Sequence, residues 1–387
     1  MAPALDVDLY DPRVLRDSRE LFARIRAAGP VVWLPRHRMY AIGRFEDVKA
    51  ALRDDDVFRS GKGVAANPLT NLAARGTTLF SDGEAHSKRR RVLMRSLGAK
   101  ALQGIGATLD EHGERLVDRL LTRERFEATR DFSRHLPLTV VAELVGIDVD
   151  GEKMLGWGSA SFDSLGPLNR RGVAAARPGL GLLLYSQRLN DDRVAPGSWA
   201  AALMEAKEGG EISAREARAL VIDLVAPALD TTVLASTHLL WTLARNPQAW
   251  ERIAADPELV STAVVEDVRL SSPIRGFTRY LAAEHEIGET RLPAGARVAL
   301  LFGAANLDET RFPDPERFDL DRADPGHLGW GNGPHTCVGI HLAKLEIQAL
   351  LRAMAPKVGR VEAGEPEWLE NNTLQGISAL PVSFQPR

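Results

Sequence analysis

Trp330-Gly331-Asn332-Gly333-Pro334-His335-Thr336-Cys337-Val338-Gly339 holds the only cysteine in a chain of 387 residues. A Pro/Asp-rich loop, Asp321 to Pro325, precedes it, and the amphipathic run Ile340-His341-Leu342-Ala343-Lys344-Leu345-Glu346 follows. Cys337 therefore stands where irregular, glycine-rich backbone enters a helix. Unpaired N–H groups and the macrodipole favour negative charge at such a terminus. The setting predicts a thiol of lowered pKa, held as the metal-binding thiolate. Gly331, Gly333 and Gly339 permit unusual backbone angles and the close approach of a flat ligand. A lone cysteine is otherwise read as a small buried hydrophobe beside a helix cap. The glycines, His335 and the loop-to-helix setting together favour the ligand.

The same stretch resembles the haem-binding loop of the cytochrome P-450 family, aromatic-Gly-x-Gly-x-His-x-Cys-x-Gly ahead of a long helix. The resemblance implies haem b as cofactor, Cys337 as axial thiolate of its iron, and Trp330, Gly331, His335 and Gly339 around it. His335 would bond a haem propionate. The family usually has phenylalanine where this chain has Trp330. An indole adds an N–H donor, and a hydrogen bond from it to the sulfur would raise the haem potential.

Working outward, a net charge of −3 gives no reason to expect nucleic acid. A hydrophobic content of 44% suits a globular protein with a sizeable core. With one cysteine no internal disulfide can form, which fits a reducing compartment. Residues 1–16 read as an acidic N-terminal extension without an apolar run long enough to span or signal. The expectation is a soluble, cytoplasmic, monomeric protein. No linker, repeat or low-complexity tract interrupts the chain, and the resemblance runs through most of it, so residues 1–387 read as a single domain.

Leu21, Phe22 and Ile25 mark one face of a helix over 17–28, closed by Gly29-Pro30. Val31 to Leu34 and Met39 to Ile42 read as paired strands. Residues 60–76 are loose and rich in Gly, Asn and Ala. Asp82 then opens a helix on which His86 and Arg90, four apart, share a face. Their spacing matches the family's haem-propionate pair, and cations suit carboxylates. Lys88, Arg89 and Arg91 cannot all point inward. They leave a basic patch where, by resemblance, an acidic ferredoxin or flavodoxin would dock. Ala101 to Leu121, Phe132 to Val145 and Lys153 to Phe162 read as helices. Residues 166–189 correspond to the family's mobile lid.

Ser213 opens the longest helical pattern, to Arg245, with a Ser-x-x-Glu capping box. Pro227 in its middle removes a hydrogen bond and predicts a kink. Pro227-Ala228-Leu229-Asp230-Thr231-Thr232 resembles the family's oxygen-activation motif, with Pro and Ala in place of the usual Ala and Gly. By that resemblance Thr231 hydrogen-bonds the activated oxygen and Asp230 relays protons to it. The plainer reading has the hydroxyls bonding back to carbonyls around the kink. Phe162, Leu229, Ile274 and Phe277 become candidate pocket residues.

Glu266 and Arg269, three apart on one helix face, match with Arg317 a structural charge network of the family, whose disruption would leave a buried unpaired charge. Arg279, six after Pro273, matches a propionate-binding arginine. The expected fold is mainly α: roughly a dozen helices around haem, with a small β subdomain. The expected enzyme is a soluble, bacterial-type haem-thiolate monooxygenase. It would insert one atom of dioxygen into a C–H bond of a small organic substrate, by hydroxylation or O-demethylation, with NAD(P)H electrons arriving through the separate redox protein. A peroxide-using enzyme and a non-catalytic haem-binding recruitment module are the rivals; the intact Asp230-Thr231 pair speaks against both.

Overall fold

Ser213 and Glu216 close the predicted box: the Ser213 hydroxyl accepts from the Glu216 amide at 3.2 Å, and the Glu216 carboxylate accepts from the Ser213 amide at 2.9 Å. With its first amides satisfied the helix starts cleanly and runs over Ala214–Val225. Residues 226–229 form a turn, and the helix resumes over Asp230–Arg245. The proline therefore interrupts the helix rather than only bending it. Beyond the break the residues from Thr232 to Leu240 are all buried, and this half packs on Leu259–Ser271 and on the helix after the cysteine, Ile340–Met354. Taken through its break, Ala214–Arg245 is long and apolar enough to cross a membrane. Here it supplies one wall of the core.

The computed structural model describes residues 2–322 and 326–387, so the end of the Asp321–Pro325 loop lies outside the described residues. The molecule is mainly helical with small β-sheets. The largest sheet contains β1 (Val32–Leu34), β2 (Met39–Ile42), β3 (Phe58–Arg59), β4 (Phe277–Leu281) and β5 (Arg297–Leu300), in the order β1-β2-β5-β4-β3. β2 and β5 are parallel, with Tyr40 opposite Val298, and the other pairs are antiparallel. Three further strands, 126–127, 358–363 and 381–386, make a second sheet beneath the helices. One helical segment was read too simply. Between Thr129 and Val141 the chain winds in wide turns before a short α-helix at Ala142–Val145, where sequence periodicity predicts one helix from Phe132.

A buried charge centre ties the Leu259–Ser271 helix to the loop that leads to the cysteine. Arg269 and Glu266 are both fully buried and meet through two bonds, of 2.9 and 2.8 Å. Arg269 also donates to the carbonyls of Asn306 and Pro315. The third partner differs from the sequence expectation. Arg317 turns to solvent and pairs with Asp319 at 2.7 Å. Arg322 takes its place, with its Nε 3.0 Å from Glu266 and its side chain only 7% exposed. The backbone explains the exchange: Arg317 presents its carbonyl inward, where Arg269 and Arg322 both donate to it.

Candidate functional site

The cysteine loop is braced from several directions before its thiol comes into play. Leu328 donates to the Asn306 side chain at 2.7 Å, Gly331 to the Leu328 carbonyl at 2.9 Å, and Cys337 to the Trp330 carbonyl at 2.9 Å. Arg53 reaches over from an earlier helix to Asn332. Gly331 and Gly333 have φ of 72° and 68°, angles that disfavour a side chain. A Cβ at Gly333 would also press on the Leu52 carbonyl at 2.5 Å. The bends aim Cys337 into a cavity of about 550 Å³. The thiol is open to that space while lying deep inside the protein. Burial therefore pushes its pKa up, outweighing the opposing pull of the Gly339 and Ile340 amides and of Arg90. That corrects the expectation of a preformed thiolate: helix-end amides are present, but desolvation dominates.

Trp330 lines the same cavity without donating to the sulfur. Its ring lies beside His327, centroids 4.8 Å apart, and beneath the Lys344 ammonium. The indole is occupied by packing and a cation, so Trp330→Phe should leave the reduction potential of the bound haem unchanged. A spectroelectrochemical titration showing a clear drop would restore the hydrogen bond inferred from sequence.

Four basic side chains from three distant segments converge on the cavity: His86 and Arg90 from the helix Gly83–Leu97, Arg279 from the middle of β4, and His335 from the cysteine loop. The two imidazoles lie against each other, tilted by 40° with centroids 4.1 Å apart, and Nε2 of each is buried without a partner. Burial, with Arg279, His86 and Arg90 nearby, drives the His335 pKa down to about 2. Burial likewise lowers Arg279 to about 10. Arg90 donates to the Thr336 carbonyl and Arg279 to the Thr278 carbonyl. Among the described residues neither arginine has a carboxylate in ion-pair range. A buried guanidinium at Arg279, a half-buried one at Arg90 and two imidazoles with an unpartnered nitrogen are costly without an anion. A group bearing carboxylates fits them. Among the described residues no cluster of three His, Cys, Asp or Glu could hold an ion.

On the far wall Thr231 faces the cavity, and its hydroxyl donates to the Pro227 carbonyl at 3.1 Å across the helix break. Asp230, its neighbour, does not reach the cavity wall. Its Oδ2 is buried without a partner and lies so near Gly158 that a Cβ there would come within 2.6 Å. Burial raises the Asp230 pKa to about 7, with Arg134 pulling the other way. Phe162, Ile274 and Phe277 line the cavity. Leu229 does not: it is 1% exposed and packs in the apolar core around Trp157 and Leu220, because the turn at 226–229 rotates it away from the open face.

Sequence reasoning missed two acids on the cavity wall. Glu346, on the cysteine helix, is fully buried with neither oxygen bonded, and burial pushes its pKa well up. Asp223 lies two helical turns before Thr231. The basic patch also reads differently in three dimensions. Lys88 and Arg89 both pair with Glu216, at 3.2 and 3.4 Å, and only Arg91 stays exposed and outside an ion pair among the described residues.

Comparisons with known proteins find relatives along nearly the whole chain. The family model described as Cytochrome P450 matches residues 255–355. Cytochrome p450 CYP199A2 of Rhodopseudomonas palustris is 32% identical, covering 99% of this chain and 95% of the relative. The linalool 8-monooxygenase of Pseudomonas putida is 29% identical, over 98% of each chain. Among solved structures, cytochrome P450 CYP109Q5 from Chondromyces apiculatus superposes with a TM-score of 0.81 at 26% identity, covering 99% of both chains.

Proposed function

The chain belongs to the cytochrome P450 family and is an oxygen-incorporating oxidoreductase with haem b as its cofactor, and from that premise we propose that it hydroxylates or O-demethylates a compact, largely apolar organic molecule. The electrons come from NAD(P)H through a separate ferredoxin or flavodoxin. We place the enzyme in the cytoplasm. The observation that carries the reading is the continuity of one cavity from the Cys337 thiol to the Thr231 hydroxyl.

The bound haem supplies the oxidising chemistry, in which one oxygen atom enters a C–H bond and the other leaves as water while two electrons and two protons are consumed. The chain's own residues hold the group, shape the space and manage the protons. His86, Arg90, Arg279 and His335 offer donors to its carboxylates. Phe162, Ile274, Phe277 and Phe302 give the chamber apolar walls that exclude bulk water and position the substrate. Exposed Leu69, Leu168 and Leu180 also border the cavity, consistent with an apolar mouth under a lid. Thr231 can release Pro227 and present its hydroxyl to the chamber. Asp230, from its site beside Gly158, can hold a proton near neutral pH and hand it to the Thr231 side by a side-chain rotation.

The test compares wild type with Thr231→Ala, each supplied with dioxygen, NAD(P)H and a redox couple, or with peroxide alone. Thr231→Ala should lose most of its coupling of electron use to product while its peroxide-driven rate holds. Full coupling in the variant would sink the role given to Thr231. A peroxide-using enzyme would be fastest with peroxide, and a recruitment module would turn over with neither.

Asp230 adds a pH dependence of definite sign. Its folded pKa is raised, so the carboxyl is protonated below about 7 and loses the proton as pH rises through that value. Turnover should fall across the same interval. In Asp230→Asn the profile should be flat there and the rate lower by about a hundredfold. An unchanged profile would remove Asp230 from the proton path.

A further inference from the structure

The cavity walls are unequally charged. Around the cysteine loop they are cationic, and those groups are accounted for by the haem carboxylates. Along the Ala214–Val225 helix they carry one acid, Asp223. Asp223, Pro227 and Thr231 recur every four residues and all line the cavity, so they share a face despite the break. Eight residues at a helical rise put Asp223 on the order of 12 Å from Thr231 along the axis.

Asp223 is held in place by one of its carboxylate oxygens. Its Oδ2 accepts from the Thr78 amide at 2.6 Å, which fixes the carboxyl against the loop that covers the chamber. It is in no ion pair among the described residues: the nearby Arg89 is taken by Glu216. Burial raises its pKa to about 6, against the pull of the Thr78 amide and hydroxyl and of Arg89. The side chain is deeply placed yet retains accessible surface, and the space it opens onto is the cavity. Four hydroxyls of this wall spend their protons on backbone carbonyls: Thr70 and Ser164 within the covering loops, Ser161 on Trp157, Thr77 on Ala74.

We propose that Asp223 is a specificity-determining residue that pairs with a cationic group, such as a protonated amine, on the substrate, while the apolar body of the same molecule extends towards Thr231 and Cys337. A carboxylate at that end would face Asp223 with no counter-cation, and like charges at close range in a dry chamber repel strongly. The proposal rests on reading the cavity as the substrate chamber of a haem monooxygenase. A carbon monoxide difference spectrum of the reduced holoenzyme checks that reading separately on the same sample.

The probes are three guests of one shape: para-methoxyphenethyl trimethylammonium, its neutral carbon isostere with a tert-butyl end, and the corresponding carboxylate. The quaternary nitrogen cannot ligate iron, so its affinity reports the chamber alone. Calorimetric titration of the holoenzyme should show the cation binding at least tenfold more tightly than the isostere, and the carboxylate most weakly. Asp223→Asn keeps an acceptor for the Thr78 amide and should close the gap between cation and isostere. Equal binding of the three guests by wild type would overturn the proposal, even if the variant failed to fold. A gap that survives in Asp223→Asn would overturn it as well.

Discussion

Cys337→Ser should abolish the thiolate signature of the reduced carbon monoxide complex and cut dioxygen-dependent turnover by about three orders of magnitude or more. The backbone of the cysteine loop is set by hydrogen bonds through Asn306, Leu328 and Trp330 and by two glycines at positive φ, none of which involves the Cys337 side chain. Serine nearly matches the volume and its hydroxyl would open onto the cavity, so the loop should keep its course. What changes is the donor. A thiol ionises far more readily than a serine hydroxyl, so serine is a much poorer anionic donor. The expected result is a folded protein that retains haem through His86, Arg90, Arg279 and His335 and has lost its chemistry. A serine variant with an unaltered carbon monoxide spectrum would show that another residue faces the iron.

The second large effect concerns the buried charge centre. Arg322→Ala should destabilise the protein by roughly 3–5 kcal/mol, because it strips Glu266 of one of its two cations in a fully buried site. It also leaves the carbonyls of Pro313, Asp314 and Arg317 without that donor. Arg317→Ala should change little, since that side chain is 63% exposed and pairs only with Asp319. Chemical denaturation of the two variants side by side separates the assignments. Equal losses, or a larger loss in Arg317→Ala, would return the role to Arg317. Haem content should follow the same order, because the Arg269 and Arg322 network anchors the segment that feeds into the cysteine loop.

Residues acting through backbone geometry or a shared spacing were readable from sequence. Cys337 with its glycines, the four-residue step from His86 to Arg90, and the Ser213-Glu216 box each encode one local shape, and local shape survives folding. Arg279, six residues after Pro273, was reached through its match to the family's pattern, and it lies on the cavity wall. Residues whose role depends on which way a loop turns were not. Arg317 and Arg322 lie in one irregular segment, and either could have faced Glu266. Leu229 fell on the wrong side because the break at 226–229 adds a rotation that a regular helix lacks. Asp230 was placed beside Thr231 correctly in sequence, but the room left by Gly158 turns its carboxyl away from the cavity. The Cys337 pKa went astray for a related reason: a helix end is visible in sequence and the depth of burial is not. Asp223 did leave a signal, an acid in a helix of mostly apolar face, eight residues before Thr231. Only the cavity wall gives that spacing a meaning.

One chamber joins Cys337 to Thr231, and the reaction proposed there places an atom of dioxygen into a substrate. The direct measurement is mass spectrometry of the product formed under isotope-labelled dioxygen, with NAD(P)H, a redox couple and a turned-over substrate. One labelled oxygen atom per product molecule, with loss of labelled product in Cys337→Ser, is the expected result. For O-demethylation, where the label leaves in the one-carbon fragment, the fragment is the species to analyse. Product oxygen drawn from water, or labelled product formed undiminished without Cys337, would contradict the proposed reaction.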